Sequence, residues 1–358
     1  MRQWKYWRKP CRSFFPSLFL TQKHTGDRLK KYKNFFGKGE KKMTKAYLDQ
    51  SLKGRDFLTI SDFTSQEIRL IMDAAHDLKK ELKEGIPHPV LKRKTLGMIF
   101  TKPSTRTRVS FEVGMYQLGG YALFLSAQDI QLRRGESLPD TARTLERYLD
   151  GIMIRTFAQE DVEELAQYAS IPVINGLTDL VHPTQVIADL MTIEEHLGRL
   201  EGIKLAFIGD GNNVAHSLLQ ICAKMGVHIT IACPAGYEPS AEIVAGARQD
   251  AAETGVQLEI VEDPSEAVKD ADAVYTDLWA SMGQEQDQEQ RAEVFQRYQV
   301  NSELLKKANP GAVVLHCLPA HRGEEITNEV MDGPQSVVFD EAENRLHAHK
   351  AIMALLMQ

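Results

Sequence analysis

Between residues 203 and 316, short apolar runs alternate with helix-periodic segments. Strands are expected at 203–209, 227–232, 257–261, 273–276 and 312–316, with helices at 215–225, 241–252, 267–271 and 304–308 between them. Runs this short read as buried strands, and strands separated by helical crossovers can share one sheet only as parallel neighbours with helices on its faces. The first half repeats the pattern less regularly. Strands are expected at 95–100, 121–126, 151–155 and 171–175, a polar loop at 128–137, and helices from the Ser104 region to Leu118, at 141–149 with Asp140 as cap, and at 186–197. Thr64-Ser-Gln-Glu67 is a capping box opening an amphipathic helix that runs toward Gly85. The chain is long enough for two domains, so the expected fold is α/β: two doubly wound parallel-sheet domains with a cleft between them.

Charge separates the first 42 residues from the rest. Of 43 Lys and Arg, 13 lie there with only two of the 49 acids, so this stretch carries +11 and the other 316 residues −17. It has little Ser and no long apolar core, so it suits neither a transit peptide nor a secretory signal. Gly37-Lys-Gly-Glu-Lys-Lys-Met43 reads as a purine-rich ribosome-binding site and start codon translated in frame. Residues 1–42 are therefore expected to be a disordered leader or upstream sequence, with the start at Met43. The acidic body argues against nucleic acid as a partner. No apolar stretch reaches the ~18 residues of a membrane span. Cys11, Cys222, Cys233 and Cys317 show no paired spacing, so free thiols in a reducing cytoplasm are expected.

Four segments carry candidate chemistry. Lys102-Pro-Ser-Thr-Arg-Thr-Arg108 falls where a strand turns into a helix, and there the helix start has unpartnered N–H groups and a positive dipole. Ser104, Thr105 and Thr107 add hydroxyls, and Arg106 and Arg108 add guanidinium forks, which together suit a phosphate-sized dianion. An ordinary Ser/Thr cap with solvated arginines is the plainer alternative. Arg155 closes a strand at the edge where open α/β sheets place ligand groups, although a rim arginine in surface ion pairs fits as well. His182-Pro-Thr-Gln185 holds a histidine on a stiff backbone, with Gln185 expected on its face.

The fourth segment is His316-Cys-Leu-Pro319, where Cys317 is open to reading as a nucleophile, a metal ligand or an inert thiol. Only His316, Cys317 and His321 cluster there, which is poor zinc spacing. Gly209-Asp-Gly-Asn-Asn213 invites a dinucleotide reading, but Val214 stands where the third glycine of that fingerprint belongs. NAD binding is kept as the alternative of a different class.

Ser104-Thr-Arg-Thr-Arg108, His182-Pro-Thr-Gln185, Asp277 with Ser281-Met-Gly283, His316-Cys-Leu-Pro319 and Arg345 appear in the order that resembles the aspartate/ornithine carbamoyltransferase family. The resemblance runs from Asp56 to Met357. It implies transfer of the carbamoyl group of carbamoyl phosphate to the δ-amine of L-ornithine, giving L-citrulline and phosphate. Putrescine is the alternative amine, since it needs no group for an α-carboxylate. Carried over by motif, Ser104, Thr105, Arg106, Thr107, Gln131, Arg155, His182, Gln185 and Arg345 hold carbamoyl phosphate. Asn213, Asp277, Ser281, Met282, Cys317 and Leu318 hold ornithine, and Cys317, Arg155, His182 and Asp277 are catalytic. The resemblance further implies residues 43–182 with 341–358 as the carbamoyl-phosphate domain and 183–340 as the ornithine domain. A homotrimer or a multiple of it is expected, with residues 131–137 near a subunit boundary. No cofactor, metal, nucleic acid or membrane is expected.

Overall fold

Two all-parallel sheets take up the apolar runs in the computed structural model, which describes residues 52–280 and 288–358. The leader and the sequence-derived assignments of Ser281 and Met282 lie outside the described residues. The first sheet has the order β2-β1-β3-β4, with β1 at Thr95–Phe100, β2 at Tyr121–Ser126, β3 at Gly151–Arg155 and β4 at Val173–Leu177. The second has the order β7-β6-β5-β8-β9, with β5 at Lys204–Ile208, β6 at His228–Ala232, β7 at Leu258–Val261, β8 at Ala273–Thr276 and β9 at Val313–His316. In each sheet the chain winds outward one way and then crosses to the other side. It reverses between β1 and β3 and again between β5 and β8, and ligands of open α/β sheets sit in the crevice above such reversals. Register levels the carboxyl ends there: Phe100 pairs with Arg155, and Thr276 with His316.

Five helices frame that crevice. α1 (Ser65–Lys83) starts at the expected capping box, with Thr64 and Glu67 exchanging hydrogen bonds. α2 (Thr105–Gln117) follows β1, α5 (Pro183–Leu197) follows β4, and α6 (Asn213–Met225) follows β5. The long last helix, which we number α12 (Val338–Met357), is buried nearly all round, as a helix through a core must be. It packs on α1, α2 and α5, on the side of the first sheet. One apolar cluster runs from β1, α1 and α12 through α5 and α6 to β5 and β6, so the two sheets share a core. Each fully buried Leu or Ile there contributes roughly 1.5–3 kcal/mol.

The remaining helices are α3 (Leu138–Leu145), α4 (Gln159–Tyr168), α7 (Ala241–Thr254), α8 (Pro264–Val268), α9 (Gln288–Phe295), α10 (Ser302–Leu305) and α11 (Asn328–Met331). Several starts differ from the sequence expectation for one reason: caps fix a helix start, whereas apolar periodicity registers only its buried face. Ser137, not Asp140, caps α3, and Pro139 sits in the first turn where a missing N–H is harmless. Asp263 starts α8 and Asn301 starts α10, each two or three residues early. Pro183 opens α5 rather than Val186, β4 falls two residues later than expected, and the loop at 128–137 contains a short 3-10 turn at Gln131–Arg134. Among the described residues no helix is long and apolar enough to cross a membrane.

Candidate active site

Ser104 caps α2, its Oγ accepting the Thr107 N–H at 3.2 Å. The remaining first-turn N–H groups of α2 point out of the helix toward the crevice above β1 and β3. Thr105 is exposed at the first helical position, Arg106 lines the cleft, and Thr107 is buried with its hydroxyl accepting from Arg345 Nη2 at 2.8 Å. Arg108 corrects the expectation. It pairs with Glu112 and lies 3.7 Å from the Phe124 ring, outside the cleft. Residues two apart on a helix are turned by about 200°, so Arg106 and Arg108 cannot serve one face.

Arg155 at the end of β3 and Arg345 on α12 bring two further guanidiniums into the same cleft. Burial, then the charges of Arg345 and Arg106, hold Arg155 down at about 9. Burial, then Arg106, holds Arg345 down at about 10. Arg106 is lowered by burial as well. Three buried guanidiniums, with Arg106 depressing both of the others and Arg345 depressing Arg155, form a cage whose natural complement is an anion of more than one charge. His182, buried beside them, has its pKa pushed well below the ordinary range by burial and by Arg345 and Arg155, so its imidazole is neutral. Its backbone N–H is fixed by Ser217 Oγ at 2.8 Å.

Two expected members stand apart. Gln185 turns away from the cleft and donates to Asp189 Oδ1 at 2.8 Å and Glu341 Oε1 at 3.1 Å. His182 is the cap of α5 and makes no side-chain cap bond, and the Gln185 amide is claimed instead by the two buried carboxyl groups. Gln131 is exposed in the 3-10 turn and is not among the cleft residues of this chain. Lys102 does line the cleft, almost fully buried, paired with Asp179 and 4.2 Å from the Phe157 ring. Sequence reading passed over it because a lysine two residues after a strand carries no signal of its own.

The opposite wall comes from the second sheet. Asp277 follows β8 and Cys317 follows β9, and the Cys317 thiol donates to Asp277 Oδ1 at 3.0 Å. Burial, then the Asp277 charge, raises the thiol far above its ordinary range. Cys317 is therefore a protonated thiol, which removes the nucleophile reading. Asn212, not foreseen, caps α6 and donates to Asp277 Oδ2 at 2.9 Å. Asn213, the expected ligand, lines the cleft while its amide donates to the Thr178 carbonyl at 2.6 Å. Leu318 also lines the cleft, at φ +57°, its N–H held by His316 Nδ1 at 2.9 Å. His316 Nε2 meets Glu325 Oε1 at 3.0 Å, so both ring nitrogens are engaged although Asp277, His316 and Cys317 lie at metal-ligand spacing.

The turn after β5 is not arranged for a pyrophosphate. A Cβ on Gly211 would lie 2.2 Å from the Pro239 backbone nitrogen, so this glycine admits the 238–239 segment rather than a cofactor. A larger groove near α1 is lined by Arg69, Asp73 and Lys224, but these charges are already paired, Arg69 with Asp73 and Glu194, and Lys224 with Asp250.

Residues 55–195 match the family described as Aspartate/ornithine carbamoyltransferase, carbamoyl-P binding domain, and residues 201–356 its Asp/Orn binding domain. The chain is 59% identical to the ornithine carbamoyltransferase of Thermococcus kodakarensis, over 86% of its own length and 98% of the relative's. It is 56% identical to a protein of Pyrococcus furiosus named ornithine carbamoyltransferase, anabolic, over 86% and 98%. The solved ornithine carbamoyltransferase from Pyrococcus furiosus superposes with a TM-score of 0.84 at 56% identity, again over 86% of this chain and 98% of that one.

Proposed function

This chain belongs to the aspartate/ornithine carbamoyltransferase family, and we infer from that premise that it transfers the carbamoyl group of carbamoyl phosphate to the δ-amine of L-ornithine, releasing L-citrulline and phosphate. The observation that carries this reading is one cleft with unlike walls. Arg106, Arg155, Arg345 and the start of α2 face Asp277, Cys317 and Leu318 across it. Putrescine is set aside, because the relatives at 56–59% identity are named for ornithine.

Carbamoyl phosphate binds with its phosphate on Ser104, Thr105, Arg106 and Thr107 and the first-turn N–H groups of α2. The helix dipole and a fixed guanidinium neutralise the leaving dianion there without reorganising. The carbamoyl oxygen faces Arg155 and His182, with Arg345 holding Thr107 in place. Because His182 is neutral, it donates one N–H and adds no charge. Gln131 joins this site from a neighbouring subunit, while Gln185 acts from behind His182. Ornithine lies against the other wall, its α-ammonium on Asp277, its α-carboxylate toward Asn213, and its side chain along Leu318 and Cys317, and the family motif adds Ser281 and Met282 as ornithine ligands. The neutral δ-amine attacks the carbamoyl carbon; the C–N bond forms, the bond from the carbamoyl carbon to the phosphate oxygen breaks, and the proton that the amine gives up ends on the departing phosphate, which leaves as hydrogen phosphate. Cys317 stays protonated and orients the amine. No covalent enzyme intermediate is needed, and holding two substrates in line contributes on the order of 7–11 kcal/mol.

We assign residues 43–182 and 341–358 to the carbamoyl-phosphate domain and 183–340 to the ornithine domain; the packing of α12 on α1 and α2 supports the return. The working form is a cytoplasmic homotrimer or a multiple of it. β2 is a sheet edge, and with α2 it leaves Tyr116, Tyr121, Leu123 and Phe124 exposed, a face suited to another subunit. Incubating the protein with carbamoyl phosphate and either ornithine or putrescine tests the function. Citrulline from ornithine is expected; no citrulline, or faster turnover of putrescine, overturns it.

A further inference from the structure

Behind the cleft lie two acids with no assigned work. Asp189 on α5 is fully buried, and Glu341 in the first turn of α12 is 1% exposed. The Gln185 amide donates to both. Glu341 Oε2 accepts the His316 N–H at 2.9 Å, and its Oε1 accepts the Tyr275 hydroxyl at 3.2 Å. His316 immediately precedes Cys317, and Tyr275 stands two residues before Asp277. One carboxyl group thus ties the ends of β8 and β9, from which the Asp277–Cys317 pair hangs. The same helices carry His182 and Arg345, so the two acids sit where the carbamoyl-phosphate wall is joined to the ornithine wall.

We propose that Asp189 and Glu341 are a positioning pair that shares one proton, and that this shared proton lets Glu341 hold the β8 and β9 ends so that Asp277 and Cys317 meet ornithine at the right distance. The proposal rests on the ornithine reading for its functional consequence. Two carboxylates in a sealed site cannot both ionise, and burial together with mutual repulsion raises the pair. Asp189 Oδ2 has no other hydrogen-bond partner, and an acid proton between the two supplies one. The charged and titratable groups facing the pair are Arg345 on its own helix α12, Arg106 on α2, Tyr275 on β8, Cys222 on α6 and Cys317 after β9. The two arginines, which also face the cleft, favour one negative charge on the pair, and the tyrosine and thiols, all raised by burial, stay neutral and add no further cation.

Infrared difference spectroscopy on the full chain without substrate reads the proton directly. The expected result is a protonated-carboxyl band at neutral pH that disappears in the Asp189→Asn/Glu341→Gln double variant. Steady-state kinetics then reads the positioning. Glu341→Gln, which keeps an acceptor for the His316 N–H, holds the ornithine KM within threefold. Glu341→Ala raises it tenfold or more, with the carbamoyl-phosphate Kd moving less than threefold. Should Glu341→Ala not fold, Glu341→Leu, similar in volume and lacking an acceptor, makes the same comparison. No band in the unmodified protein, equal losses for both substrates, or equal damage from Gln and Ala overturns the proposal. An unmodified protein that makes no citrulline overturns the ornithine reading instead, whatever the band does.

Discussion

Arg106 and Cys317 stand on opposite walls of one cleft, and on the proposed reading single substitutions separate their effects on the two substrates. Replacing Arg106 with Gly removes a charged fork from a cage that already holds Arg155 and Arg345. Hydrogen bonds to charged groups are worth about 1.5–3 kcal/mol each, so a lost bidentate grip weakens carbamoyl-phosphate binding by at least a hundredfold by calorimetry. Near-normal affinity contradicts the cage. Cys317→Ala raises the ornithine KM while leaving the carbamoyl-phosphate Kd within twofold; the reverse pattern reassigns the residue. The same raised thiol predicts slow alkylation by iodoacetamide at pH 8, and labelling as fast as a free cysteine contradicts a protonated Cys317. That Ser104, Arg106, His182 and Cys317 share one cleft was legible because each lies at the end of a strand or the start of a helix, where sequence is local to geometry. Arg108, Gln185 and the bond from Asn212 to Asp277 turned on which side of a helix start each side chain faces, which apolar spacing does not set.

At the scale of elements, α1 and α5 are joined by a charged cluster that no motif announced. Arg69 and His76 on α1 meet Glu194, and His76 and Lys79 meet Glu195, both acids on α5. Burial works against a charged His76, but hydrogen bonds to Glu194 and Glu195 outweigh it and raise the group to about 9. A histidine raised above its unfolded value of ~6.5 adds stability in full below that pH and loses it as pH climbs through about 9. The shift corresponds to at most about 3 kcal/mol, and nearer 1 kcal/mol for a cluster this open to solvent. His76→Ala is therefore expected to lower denaturant stability by about 1 kcal/mol at pH 6 and by much less at pH 10. An equal effect at both pH values means the charge is not what joins the helices. The β5–α6 turn makes a second prediction. Gly211→Ala places a methyl against the backbone at 238–239 and costs about 1–3 kcal/mol or more, read as a fall in melting temperature. An unchanged melt contradicts the close approach.

For the whole molecule, the exposed face on α2 and β2 is the feature a single chain leaves unexplained. Tyr116 is 81% and Tyr121 64% exposed, beside Leu123 and Phe124 on an edge strand. Light scattering is expected to show a trimer or its multiple for the unmodified protein and a smaller species for Tyr121→Asp with Phe124→Asp. If Gln131 serves a neighbouring subunit's site as proposed, activity falls along with the mass. A variant that keeps the unmodified mass shows that the subunits meet elsewhere.

Local pattern along the chain was enough to place the two parallel sheets, the capping box of α1, the helix-start position of Arg106 and the strand-end positions of Arg155, Asp277 and Cys317. All of these follow from period, from caps and from the rule that a buried strand must be brief and apolar. Tertiary structure alone decided that Arg345 reaches back to Thr107, that Lys102 turns into the cleft, and that Asp189 and Glu341 stand together behind it. Those contacts join residues 77 or more positions apart along the chain. The shared core fixes them, and no short stretch of sequence contains that information.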